Sequence, residues 1–272
     1  MTTAGNGLIG KSTPRIDGPA KTTGRAEYTS DVKLDRMLSG RILRSPYAHA
    51  RIKSIDTSNA KTLPGVHAIV TSADTFEGAR YGRAIVDIPV LAHDVVRYVG
   101  EQVAAVAADD EDIADRAIQL IKVEYEELDS VHDPEEAMKA EAPLLHPNLL
   151  EYQGLPKPLE IASNNYTTFD WSKGDVEAGL AEADVVVENT FTTPRQHQGY
   201  MEPHSCVVNI DGDGRLHVWA GNKSPYPARR FLAIATGLDQ DQIVLHPVTI
   251  GGDFGGKGSP LPIPIAHMLA KA

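Results

Sequence analysis

Val103-Ala104-Ala105-Val106-Ala107, then Asp109-Asp110, then Ile113, Ala117, Ile118 and Ile121, is the stretch that decides the fold class of this chain. The first five residues are a continuous apolar run of the kind that forms a buried strand. The two aspartates place negative charge where a helix N-terminus favours it, and the apolar positions after them recur at helical spacing. Lys122 to Leu128 reads as a strand again. Strand, helix and strand in quick succession predict a compact crossover unit with its helix on one face of a sheet.

Toward the N-terminus, Met37 to Leu43, Ala50 to Asp56 and Val66 to Thr71 read as short strands, the last two bracketing a short helix that ends near Pro64-Gly65. One mixed sheet is expected from them, in a first domain at residues 36–133. Residues 1–35, punctuated by Pro14, Gly18, Pro19 and Gly24, predict an extended arm laid over a surface. Residues 134–165 hold Pro134, Pro143, Pro147, Pro156 and Pro158, with a short helix at Glu135 to Ala140, and predict a proline-rich linker.

A second domain is expected at residues 166–272. A helix follows Asp175, with Val176, Leu180 and Ala183 on one face, and Val185 to Thr193 reads as a strand. Ser205 to Ile210 and Arg215 to Ala220 flank the turn composition Asp211-Gly212-Asp213-Gly214 and predict a hairpin. Ser224-Pro225 opens a helix that Gly237 ends. Ile243 to Ile250 then returns as a strand.

Composition narrows the function classes. At 272 residues with 42% hydrophobic content the chain is long enough for two domains with proper cores. A net charge of −11 argues against nucleic acid, which needs a basic face. The acidic runs at 109–115 and 124–136 read as solvated surface. Cys206 is the only cysteine, so the chain forms no internal disulfide and cannot by itself hold an iron–sulfur cluster; it reads as a buried, inert thiol. The first residues lack a basic and apolar leader, and no apolar run approaches a membrane span. Cytoplasm is the expected location.

The last strand delivers Gly251-Gly252-Asp253-Phe254-Gly255-Gly256-Lys257-Gly258. Glycine pairs on both sides of Phe254 describe a backbone shaped for close approach by a ligand. A phosphate loop is the obvious candidate, since Gly251, Gly256 and Lys257 match its spacing. Gly258 stands where that loop needs a hydroxyl, and Pro260, Pro262 and Pro264 follow where it needs a helix, so the match fails. His197, Glu202 and His204 fit no standard zinc spacing, and no protein-ligated metal is expected.

The loop resembles the Gly-Gly-x-Phe-Gly-Gly-Lys signature of the molybdopterin-binding large subunits of the xanthine dehydrogenase and aldehyde oxidase family. Gln196-His197-Gln198-Gly199-Tyr200-Met201-Glu202-Pro203-His204 resembles that family's Gln-x-x-x-x-(Leu/Met)-Glu-x-His run, in the same order and at a similar separation. Ile9 to Tyr28 and Tyr98 to Val106 resemble its opening, so the resemblance covers nearly the whole chain. It implies an α+β protein: an a/b hammerhead domain followed by the first part of a molybdopterin-binding domain.

The resemblance implies roles as well. Gln196 would be the catalytic-site glutamine that donates a hydrogen bond at the molybdenum centre. Gly252, Asp253, Phe254, Gly255 and Gly256 would line the molybdenum–molybdopterin cofactor, with Glu202 and His204 buttressing the Gln196 stretch. The reaction implied is oxidation of an aldehyde or N-heterocycle with oxygen from water. Partners would be the C-terminal half of the molybdenum subunit, an iron–sulfur subunit carrying [2Fe-2S] centres and an FAD subunit.

Two departures stand out. Gly258 replaces the glutamate that orients the ring in purine-oxidising relatives, which turns expectation away from xanthine. The family's subunits also continue for several hundred residues and carry a general-base glutamate near their end, so this chain alone is expected to be inactive. A non-catalytic scaffold or subunit-docking module is the alternative.

Overall fold

The structure, a computed structural model, describes residues 9–76, 78–156 and 159–272. After the exposed helix α1 (Gly18–Thr22), the N-terminal arm crosses to the second unit. Tyr28 bridges Thr249 in parallel, the Thr249 amide donates to the Glu27 carbonyl at 2.8 Å, and the Gly221 amide donates to the Thr29 hydroxyl at 3.1 Å. The arm is thereby fixed beside the chain that enters the glycine loop.

The first unit runs β1 (Ser39–Arg44), β2 (Ala50–Asp56), α2 (Ser58–Lys61), β3 (Val66–Thr71), β4 (Arg80–Tyr81), β5 (Ile88–Pro89), β6 (Val95–Val96), β7 (Gln102–Ala108), α3 (Glu111–Leu120) and β8 (Lys122–Glu127). The expected single mixed sheet is instead divided. β7 lies between β1 and β3, antiparallel to both, and β2 lies between β6 and β8, again antiparallel to both. β7 and β8 fall in different sheets, so α3 is not a crossover within one sheet.

The reason lies in the two strand patterns. All seven residues of β7 are buried and six of them are Val or Ala, and a strand apolar on both faces needs partners and cover on both sides. β8 alternates, with Val123 and Tyr125 facing a cluster built on Ala50, Ala92, Val96 and Val103. Its period-two pattern needs only one covered face. α3 starts where the aspartates predicted: the Asp110 carboxylate caps it by accepting from the Ile113 amide at 2.7 Å. Its Ala117 packs with Ala60, Ala104 and Val106.

Residues beyond β8 lie against this unit. α4 (Pro134–Ala137) is shorter than the expected helix and is capped by Asp133. Leu149 is buried, the Val86 amide donates to the Gln153 carbonyl at 2.9 Å, and the Asn164 side chain ties together residues 137, 143 and 145.

The remaining elements are α5 (Val176–Glu182), β9 (Val207–Ile210), β10 (Leu216–Trp219), α6 (Pro225–Thr236), β11 (Ile243–His246) and α7 (Ile263–Lys271). β10 is central, antiparallel to β9 across the expected hairpin and parallel to β11 through α6. Gly237 ends α6 at φ +73°, as a left-handed C-terminal glycine does. Leu216, Val218, Leu232, Ile243 and Ile263 form the core of this sheet. α7 joins the two units, because Ile263 belongs to that core whereas Ile265 packs with Val70, Tyr81 and Leu91.

One expected strand is absent. Val185 to Thr193 runs without a pairing partner among the described residues, and Val186 and Phe191 are 60% and 86% exposed. The apolar face of α5 is likewise open at Val176 and Leu180. A strand needs an edge to pair with, and no edge among the described residues reaches this run.

Candidate functional site

β11 and the residues after it carry the chain to the glycine loop, whose backbone turns left-handed at Gly252 (φ +98°), Phe254 (φ +43°) and Gly255 (φ +98°). For Phe254 that conformation costs on the order of 1 kcal/mol or more, and its ring is 74% exposed. Phe254 is therefore no core anchor. The loop is built around Asp253, whose Oδ1 accepts from the Lys257 amide at 2.5 Å. Its Oδ2 accepts from the Gly255 amide at 3.1 Å and from the Lys223 ammonium at 2.9 Å. Lys223, and after it these amides, hold the Asp253 carboxyl below the usual range against the opposing effect of desolvation. Among the described residues, the amides of Gly252, Asp253 and Phe254 have no protein acceptor.

The second motif packs on this loop. The Glu202 amide donates to the Gly251 carbonyl at 3.2 Å, and Glu202 Oε2 accepts from the Gly251 amide at 2.8 Å and from the Lys257 ammonium. Lys257 is 2% exposed, with its ammonium 5.1 Å from the centre of the Tyr200 ring. His204 meets that ring edge-on at 5.5 Å, and His197 lies 5.2 Å from it. Desolvation, helped by Lys257, lowers the His204 pKa.

The fold thus gathers stretches some fifty residues apart. Gln196 sits at the outer end of its stretch, exposed, with its amide 3.4 Å from the His197 carbonyl. The expectation that Glu202 buttresses the Gln196 stretch needs correction in direction. Its side chain grips the glycine loop, because that loop offers the buried Lys257 ammonium together with the Gly251 amide, whereas residues 196–204 hold no lysine or arginine. Sequence reading missed the Lys257–Glu202 and Lys223–Asp253 pairs. The available signal was a lysine set between glycines beside an apolar, proline-rich run, where a free ammonium is costly.

Other chemistry-bearing groups lie apart. Burial pushes the Cys206 thiol up to about 12, leaving it protonated and unreactive at neutral pH. His217 bridges Asp211 and His246 at 2.9 and 2.8 Å, with His246 stacked on Trp219. Among the described residues no three His, Cys, Asp or Glu side chains converge on a metal site, and no helix is long and apolar enough to cross a membrane.

The loop suits a flat, polar, anionic cofactor. Three successive unpaired amides are anion donors of the kind found in backbone nests, Gly255 has open space above it, and an exposed aromatic stands at the loop tip. The residues present fit a pterin carrying an oxo-metal group.

Comparison with known proteins agrees. Residues 23–129 match the family model of the aldehyde oxidase and xanthine dehydrogenase a/b hammerhead domain, and residues 159–272 match that of the molybdopterin cofactor-binding domain. A probable xanthine dehydrogenase component from Bacillus subtilis is 39% identical over 94% of this chain and 32% of its own length. The nicotinate dehydrogenase large molybdopterin subunit of Eubacterium barkeri is 32% identical over 92% of this chain and 56% of its own. The crystal structure of the aldehyde oxidoreductase from Desulfovibrio desulfuricans superimposes with a TM-score of 0.85 at 26% identity, over 97% of this chain and 29% of that one. The chain therefore spans between 29% and 56% of the length of these relatives. It belongs to the aldehyde oxidase and xanthine dehydrogenase family and carries that family's α+β hammerhead domain followed by a molybdopterin cofactor-binding domain.

Proposed function

We propose that the chain is the cofactor-gripping portion of a cytoplasmic, multi-component molybdenum hydroxylase that oxidises an aldehyde or an N-heterocycle. The observation that carries this reading is the loop at 251–257, with three unpaired amides, an exposed Phe254 on strained backbone, and the Gln196 stretch packed against its base. Bound molybdopterin would supply the redox chemistry, taking the oxygen of the product from water. The chain's residues bind and orient. Gly252, Asp253 and Phe254 offer amides, Phe254 covers one side of the site, and Gly255 keeps the backbone thin enough for close approach. Gly256 supports the loop's cofactor-side shape by making room for the Tyr200 ring, which a Cβ there would meet at 2.6 Å. Asp253 shapes the loop, since its oxygens already hold Gly255, Lys257 and Lys223.

Gln196 is proposed as the neutral donor beside the metal group, an amide being able to donate without carrying charge. Residues 36–133 and 166–272 would act as the two domains, joined by 134–165. The proton acceptor of the reaction, the iron–sulfur centres and the FAD would come from the remainder of the subunit and from partner chains. The range of relatives, from xanthine and nicotinate dehydrogenases to an aldehyde oxidoreductase, supports the breadth of this substrate class.

The test is coexpression of the chain with the rest of the molybdenum subunit and its partners, followed by molybdenum analysis and dye reduction with aldehydes and nicotinate. Turnover that tracks molybdenum is expected from the assembly and none from the chain alone. Gln196→Ala should lower turnover roughly ten- to a thousand-fold at full molybdenum loading, as loss of a preorganised donor does. Unchanged turnover would remove Gln196 from the site. An assembly that forms without molybdenum would favour the scaffold reading.

A further inference from the structure

We infer that Glu202 is a positioning residue, a clasp that closes the two feet of the glycine loop and sets the Gln196 stretch against them. The inference rests on the loop being the cofactor site proposed above. Glu202 Oε2 takes the Gly251 amide at the loop's first residue and the Lys257 ammonium at its last, while the Glu202 backbone donates to the Gly251 carbonyl. The residues between, 252–256, are left to bulge outward. Only a carboxylate can accept at both feet at once and match a buried ammonium, and it does so with one oxygen. Its other oxygen, Oε1, is buried with no partner among the described residues.

A buried ion pair adds little net stability compared with apolar side chains of the same volume, because desolvation offsets the attraction. What it does supply is geometry. Lys257, almost fully buried, has Glu202 as its only carboxylate within salt-bridge distance among the described residues, with the Tyr200 ring against its ammonium. The neighbouring charges are otherwise engaged, since Asp253 holds Lys223 and the loop amides. His204 contributes an aromatic edge to Tyr200. Displacing the Gln196 stretch would therefore strip the loop of its clasp, and opening the loop would leave a buried carboxylate and ammonium apart. Stretch and loop move as one body.

Hydrogen exchange on the 272-residue chain tests this without cofactor. Glu202→Gln should speed exchange at least tenfold both at the hydrogen-bonded Gly199 and Glu202 amides and at those of Gly251, Gly256 and Lys257, while β10 and β11 keep their protection. Because an unpaired Lys257 lowers overall stability, the deciding variant is Glu202→Met with Lys257→Met, which fills the site with apolar side chains. The melting temperature should then return to that of the parent, yet exchange in both segments should stay at least tenfold faster. If the double variant is as protected as the parent, packing rather than the clasp positions the loop and the inference falls. It falls equally if only one segment loosens. In the molybdenum-loaded assembly the double variant should release pterin, followed by its fluorescence, at least tenfold faster. Failure of the parent assembly to bind molybdopterin would overturn the proposed function while leaving the exchange result to stand on its own.

Discussion

β7 and the run from Val185 to Thr193 both read as short strands in sequence, yet one is the most enclosed strand among the described residues and the other is open to solvent. Every residue of β7 is buried between β1 and β3, whereas Val185, Val187 and Phe191 are 77%, 75% and 86% exposed. Propensity favours the second run, six of whose nine residues are β-branched against two of seven in β7; pairing reverses the outcome. A strand is a property of a pair, since its amides and carbonyls need an edge and its side chains need a facing layer. β7 finds both within its own unit, and the second run finds neither among the described residues.

The sharpest way to break this contrast is to put the same charge into both segments. Ala105→Asp places a carboxylate where Ala105 is fully buried and packed near Val70 and Tyr81. Several kcal/mol of desolvation, about 4 or more, should follow, a large part of the roughly 5–15 kcal/mol that holds a typical domain. Val186→Asp should change stability by no more than about 0.5 kcal/mol, as exposed substitutions do. Urea denaturation of the two variants decides it. Equal losses would mean that the 185–193 run is buried in solution and the contrast is wrong.

The same contrast explains what was legible in the sequence. Strand and helix positions followed from local signals: β2, β3 and the Asp110 cap of α3 stand where patterning and capping placed them. Which strands share a sheet did not, because pairing is decided by distant residues that compete for the same edges. Alternation in β8 carried a hint, since Val123 and Tyr125 mark a strand with one covered face, unlike β7. For the site, the glycine loop and the Gln196 stretch were visible as motifs, and their contact was not. Glu202 and Lys257 meet across 55 positions, a distance at which no spacing rule applies.

A smaller effect separates an enclosed glycine in the loop from an open one in α5, beside the exposed run. A Cβ on Gly251 would stand 2.5 Å from the Glu202 Cβ, a distance that forces the two stretches apart. Gly251→Ala should cost about 1–3 kcal/mol, as overpacking does, and should loosen the loop and the Gln196 stretch together. Gly179, inside α5, has nothing within 4 Å of such a Cβ. Gly179→Ala should favour the helix by about 0.5–1 kcal/mol and raise helical circular dichroism slightly while the unfolding midpoint stays in place. A midpoint that rises with Gly179→Ala would show that α5 is coupled to the core.

An equally small change in stability is expected at Gly258, where the family resemblance implies a glutamate in purine-oxidising relatives. A Cβ there would meet only the Lys223 Cε, at 3.5 Å, an ordinary contact, and the Gly258 backbone is not among the left-handed positions. Gly258→Glu should therefore fold with a stability change of about 0.5 kcal/mol or less, the usual range for an accommodated surface substitution. Its effect should appear in specificity. Lys223 already serves Asp253 at 2.9 Å, so a new carboxylate shares a cation that is engaged and turns its remaining acceptor capacity toward the open side of the loop. In the assembled enzyme that acceptor should favour N-heterocycles carrying an N–H or O–H donor over simple aldehydes, because a carboxylate left without a donor is penalised. The ratio of kcat/KM for a hydroxylated heterocycle to that for an aldehyde should rise at least tenfold over the parent. A ratio that stays put, with molybdenum loading intact, would mean that position 258 does not face the substrate. The open surface above the loop would then belong to the cofactor alone.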